Sequence, residues 1–176
     1  MIILVHADGP DKTIGTLTWT DRTVPCALGR TGVCAGEEKR EGDGKTPIGI
    51  WPLRRVFYRD DRLAQPATGL ACRAIAPEDG WCDDPNDTAY NQLVTLPFKA
   101  SHERLWRDDN IYDVVVELGH NDDPPRPGYG SAIFLHVARD DYTPTEGCVA
   151  ISRADLLELL TACDATSMID IKSAPL

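Results

Sequence analysis

A chain of 176 residues with 42% hydrophobic content is long enough to bury a real core as one domain, residues 1–176. No stretch of it approaches the ~20 apolar residues of a membrane span, so none is expected. Twenty-eight carboxylates against 18 Lys and Arg give a net charge of −10, a surface that repels phosphate backbones and argues against nucleic acid as a partner. The six cysteines are irregularly spaced and include no Cys-x-x-Cys pair, which argues against structural zinc. Free thiols are expected, with Cys26–Cys34 and Cys72–Cys82 the pairings that an oxidising compartment would allow.

The chain opens on Ile2–Ala7, whose short apolar run has no basic flank. It reads as a first strand and not as a signal peptide. That reading implies a cytoplasmic protein, or a periplasmic or cell-envelope one if the true start lies upstream or export takes another route. Strands follow over Gly15–Thr20 and Thr23–Leu28, where Leu17, Trp19 and Val24 fit alternation. The polar stretch Gly29–Gly49 reads as a long loop. Within it, Glu41-Gly-Asp-Gly-Lys-Thr-Pro-Ile-Gly49 superficially resembles a phosphate loop. Lys39 stands where the first glycine belongs, however, and Pro47 opposes the helix that must follow. A turn into a strand at Ile50–Arg59 is the better reading.

Cys72–Ala76 is the next strand, and Pro77–Tyr90 a second long loop. A short helix is expected from Ser101 to Trp106. Strands then cover Tyr112–Leu118, Ala132–Ala138, Cys148–Ser152 and Ser167–Lys172. Val114–Val116 and Ile133–Leu135 look like fully buried runs. Between the last two strands Ser152 caps a helix over Arg153–Cys163, with Asp155 as capping-box partner and Leu156, Leu157, Leu159 and Leu160 as its apolar face. The expected class is mainly β with one or two short helices.

Chemistry concentrates in Ser131–Ser152. His136 ends a buried apolar run, and twelve residues on Cys148 follows Gly147 directly. A thiolate attacks carbonyl carbon far better than a thiol does, so a working cysteine needs a base nearby, which His136 supplies. Gly147 lets the backbone approach a substrate, with the Cys148 amide then free to face a developing oxyanion. A lone buried histidine or cysteine is more often a packing residue. The strand, loop and Thr-Glu-Gly-Cys turn together are what point to a Cys–His acyl-transfer enzyme. Glu146 would disfavour the thiolate if it pointed inward, so it is expected to face solvent or a cation. His120, followed by Asp122 and Asp123, is a further candidate for orienting substrate or binding a metal, although a plain loop residue is the commoner outcome.

With His136, Thr145, Gly147, Cys148 and Val149 in this order, preceded by Thr46-Pro-Ile-Gly49, the chain resembles the L,D-transpeptidase catalytic domain, the YkuD family. The resemblance spans the whole chain. It departs from the family at Glu146, where the motif has histidine, and at Ala150, where many members carry an arginine thought to help bind substrate. Arg139 or Arg153 are the candidates to replace that arginine, with Thr145 and His120 as further substrate contacts.

The resemblance implies an L,D-transpeptidase-like β-sandwich with the cysteine at one end of a cleft, and neither metal nor organic cofactor. It implies attack by Cys148 on the third, L-centred residue of a peptidoglycan stem, with loss of D-alanine and His136 as base. Transfer of the thioester to an amine would make a cross-link, and transfer to water would make an L,D-carboxypeptidase. A cysteine hydrolase of a cytoplasmic or wall-derived peptide, and a non-catalytic wall-fragment-binding domain, are the other readings.

Overall fold

A computed structural model describes residues 1–174. Its strands are β1 (Ile2–Ala7), β2 (Ile14–Trp19), β3 (Arg22–Ala27), β4 (Val33–Ala35), β5 (Thr46–Tyr58), β6 (Ala71–Ala74) and β7 (Asp79–Cys82). They continue as β8 (Leu93–Thr95), β9 (His102–Arg104), β10 (Val114–Leu118), β11 (Phe134–Val137) and β12 (Val149–Ile151). Helix α1 (Arg153–Thr161) and strand β13 (Met168–Ser173) complete the chain. The protein is mainly β with one short α-helix, as the sequence implied.

Ten strands form one sheet in the order β10-β11-β12-β3-β2-β1-β13-β5-β4, with β6 beside β5. Strand β5 also pairs with β10, so the path closes on itself. The length of β5 makes this possible. Gly49–Pro52 pair with β13 and Leu53–Tyr58 pair with β10, with a register shift between Val116 and Leu118 inside the second pairing. The other sheet is small, in the order β8-β7-β9.

The two sheets explain the fully buried runs. On β10 and β11, Val114, Val116, Leu135 and Val137 point into the main core with Ile3, Val5, Leu17, Val56, Ile169 and Ile171. The alternate residues Val115 and Phe134 point the other way, into a second cluster with Phe57, Trp81, Leu105 and Tyr112. The small sheet supplies Trp81, whose ring meets those of Phe57 and Phe134 edge-on. Strands covered on both faces lose the polar alternation of a half-exposed sheet.

Helix α1 begins at Ser152, whose Oγ accepts from the Asp155 amide at 3.1 Å. Leu156, Leu159 and Leu160 bury into the main core, while Leu157 is only partly covered. No helix among the described residues is long and apolar enough to cross a membrane.

Three local expectations are corrected. The segment from Ser101 to Trp106 is not a helix but contains β9, which pairs with β7 while the Leu105 amide donates to Asp79 O at 3.1 Å. Pro77–Tyr90 is not one loop, because it holds β7, all four of whose residues are buried. Gly29–Gly49 contains β4 and a 3-10 turn over Gly36–Glu38, and β5 begins at Thr46 and not at Ile50. The Asp43 carboxylate orders that segment, accepting from Arg40 N and Lys45 N and pairing with the buried Lys39. All six cysteines are free.

Candidate active site

Strands β11 and β12 are adjacent and parallel, with Leu135 opposite Val149 and His136 opposite Ala150. Cys148, one residue before β12, therefore falls across from Phe134. His136, two residues beyond Phe134, shares its face. The register thus places thiol and imidazole on one wall, and both line a cavity of about 620 Å³. That volume suits a peptide-sized ligand.

The thiol has two backbone partners. It donates to Ala132 O at 3.2 Å and accepts from Phe134 N at 3.4 Å. Burial pushes its pKa up to about 12, Glu103 adds to the rise, and the Phe134 amide opposes it. His136 Nδ1 lies 3.0 Å from Val137 O. A carbonyl only accepts, so that bond puts the proton on Nδ1 and leaves Nε2 as the basic nitrogen. Burial, reinforced by Arg107 and Arg139, lowers the His136 pKa to about 4 against the Val137 bond. The resting pair is consequently a neutral thiol and a neutral imidazole. For groups this deeply buried a thiolate–imidazolium pair is disfavoured.

The turn that presents Cys148 is braced by Thr145. Its Oγ accepts from Gly147 N at 3.1 Å and donates to Cys148 O at 2.6 Å. Its backbone is strapped to the segment after β3 through Leu28 O and Arg30 N. Gly147 has a φ of +133°, and a Cβ there would lie 2.8 Å from Lys45 O, so glycine is required on both counts. Because the Gly147 amide is engaged by Thr145, it is not a free oxyanion donor. Glu146 points outward onto Arg30 at 2.7 Å, and both are well exposed.

Of the residues singled out from sequence, Cys148, His136, Thr145 and Arg139 line the cavity, as do Glu146 at its rim and Ala150. Gly147 stands behind it in the turn. Arg139 pairs with Asp109 at 3.4 Å at the cavity wall. Arg153 sits on α1, paired with Asp113 at 3.2 Å, outside the lining. His120 also lies outside the lining. It is buried edge-on against Trp51 with Nε2 3.1 Å from Tyr129 O, and burial lowers its pKa. Asp122 turns away to pair with Arg54.

Sequence reasoning missed the part of the lining formed by Tyr112, Glu103 and Arg107. Tyr112 packs edge-on to His136 with ring centroids 5.3 Å apart and donates to Glu103 Oε1 at 2.8 Å. Burial raises the Glu103 pKa. Arg107 binds Asp109 through two 2.8 Å bonds and lies over the Tyr112 ring. Glu103 was hidden inside the false helix. Tyr112 read only as strand, and the unusual density of charge around it was the available signal.

A family model described as the L,D-transpeptidase catalytic domain (YkuD) matches residues 4–171. Comparison with curated proteins gives no match. Among solved structures, the chain is similar to the helical cell shape determining protein Pgp2 of Campylobacter jejuni, with 14% identity and a TM-score of 0.47. That alignment covers 99% of this chain and 48% of the other. It is also similar to L,D-transpeptidase 1 of Mycobacterium tuberculosis, with 14% identity, a TM-score of 0.40, and 98% and 62% of the two chains covered. The chain thus spans about half the length of the first structure and under two thirds of the second.

Proposed function

The chain belongs to the L,D-transpeptidase catalytic-domain family, and from that premise we propose that it is a cysteine acyltransferase acting on peptidoglycan stem peptides. The observation that carries this reading is the shared wall, on which Cys148 and His136 occupy one face of adjacent strands and line one cavity. Residues 1–176 act as one catalytic domain, and a wall substrate puts the reaction in the cell envelope.

In this reading Cys148 Sγ attacks the carbonyl carbon of the third, L-centred stem residue as its proton passes to His136 Nε2. The tetrahedral intermediate collapses, the C–N bond breaks, and His136 returns the proton to the departing D-alanine amine. The product is a thioester on Cys148. An amine of a second stem then attacks it, loses its proton to His136, and regenerates the thiol. Water in place of the amine gives the L,D-carboxypeptidase outcome. Val137 O fixes the imidazole tautomer, Thr145 fixes the nucleophile turn, and Arg107 and Arg139 supply the cations of the lining that Ala150 does not.

The test is mass spectrometry of products after incubation with a purified disaccharide-tetrapeptide, beside Cys148→Ala. A cross-linked dimer with loss of D-alanine in the wild type only is the expected result. Tripeptide without dimer would assign the carboxypeptidase outcome. Unchanged tetrapeptide, or turnover by Cys148→Ala, would overturn the reading.

A further inference from the structure

Asn91 is buried, outside the catalytic wall, and its side-chain amide has four partners. Oδ1 accepts from Trp81 Nε1 at 2.9 Å and from the Ala132 amide at 3.0 Å. Nδ2 donates to His120 O at 3.2 Å and Asn121 O at 2.8 Å. Two acceptances and two donations use the full capacity of a carboxamide, which no aliphatic or hydroxyl side chain can reproduce. Asn91 itself has a φ of +56°, a left-handed conformation that asparagine tolerates better than most residues.

The bond to Ala132 matters because of what Ala132 does. Ala132 also has a positive φ, +52°, where a Cβ-bearing residue is strained unless its surroundings hold it. Its amide faces Asn91, and its carbonyl accepts the Cys148 thiol at 3.2 Å. A single strained residue therefore links Asn91 to the sulfur.

We infer that Asn91 is a positioning residue for the nucleophile: by gripping the Ala132 amide it holds the Ala132 carbonyl against the Cys148 thiol, parking the resting thiol proton on a backbone oxygen and fixing where Sγ sits in the cavity. The inference rests on the assignment of Cys148 as the nucleophile. The Trp81 bond adds the small sheet to the arrangement, since β7 presents the indole that shares Asn91 Oδ1. The cover over the second cluster thereby also sets the geometry of the reacting atom.

Asn91→Gly is the informative variant, because glycine accepts the left-handed backbone at no steric cost and only the amide is lost. Without its anchor Ala132 relaxes, and the neutral thiol loses its acceptor. Groups that bear on the thiol stay in place: Glu103 on β9, Lys39 and Glu146 from loops, Tyr112 before β10 and His136 on β11. The readout is the rate of iodoacetamide alkylation at pH 8, followed peptide by peptide by mass spectrometry. We expect the Cys148 peptide of Asn91→Gly to react several-fold faster than wild type, up to about tenfold, the scale of one neutral hydrogen bond.

Cys82, buried on β7 and bonded through its carbonyl to Asn91 N, reports loosening of the small sheet in the same sample, and Cys26 and Cys163, buried in the main core, report general loosening. Their rates stay at wild type if Asn91 positions the thiol, whereas a merely structural role raises them in parallel. An unchanged Cys148 rate, or a parallel rise at Cys82 or at Cys26 and Cys163, would overturn the inference. If Asn91→Gly does not fold, Asn91→Asp decides. It keeps the acceptor for Ala132 and Trp81 and loses the donations to His120 O and Asn121 O, so Cys148 reacts no faster than wild type, and faster reaction with Cys82 at its wild-type rate would count against the inference. Alkylation needs no peptide substrate, so this outcome is separate from that of the tetrapeptide assay.

Discussion

His136 makes the fold itself sensitive to acid. Its pKa is depressed from 6.5 to about 4, first by burial and then by Arg107 and Arg139. A depressed value means that the folded protein refuses a proton that the unfolded chain accepts. The stability contributed by the neutral imidazole is therefore complete above 6.5 and lost as the pH falls toward 4. Between pH 7 and pH 5 the loss comes to about 2 kcal/mol, a sizeable share of the roughly 5–15 kcal/mol that holds a domain folded. Urea titrations of the wild type and His136→Gln at both pH values isolate this contribution. Glutamine occupies similar space and does not titrate, and subtraction cancels every other group, including His120, which shifts in the same direction. We expect the wild type to lose about 2 kcal/mol more than the variant over that interval. Equal losses would refute the argument, because they would mean that water reaches His136 and that the imidazole is not held neutral by burial.

The same titrations serve two further variants. Gly147→Ala must place a Cβ 2.8 Å from Lys45 O at a φ of +133°. We expect a loss of about 1–3 kcal/mol, with slower acylation of Cys148, and a wild-type midpoint would show that the turn does not need glycine. Ser152→Ala removes the oxygen that caps α1 at 3.1 Å from Asp155 N. It should cost about 1 kcal/mol without changing Cys148 reactivity, and coupling of the two would contradict the separation of helix cap and site.

The elements that were legible in sequence are those whose signal is local. Ile2–Ala7 alternates buried and exposed residues, so its period announces a strand. Ser152 and the leucines of α1 carry cap and apolar stripe within one short segment. The turn that carries Cys148 was legible because Gly147 and Cys148 are neighbours in the chain and His136 ends an unmistakable buried run. What failed was structure made by distant partners. Strand β9 has three residues, too few to show a period, and exists because β7 lies beside it. Strand β7 itself, Asp-Gly-Trp-Cys, looks like a turn by composition and is buried because Phe57 and Phe134 receive Trp81.

The same division applies at the site. Sequence by itself determined which atoms are available for chemistry, a thiol behind a glycine and an imidazole at a strand end, because those identities are written residue by residue. Tertiary structure alone decided that parallel pairing of β11 with β12 puts both on one wall. It likewise sent His120 inward onto Trp51 and brought Tyr112, Glu103 and Arg107 into the cavity. The physical reason is that strand register and the burial of a side chain depend on surfaces contributed by remote parts of the chain, and local sequence carries no record of which surfaces will meet.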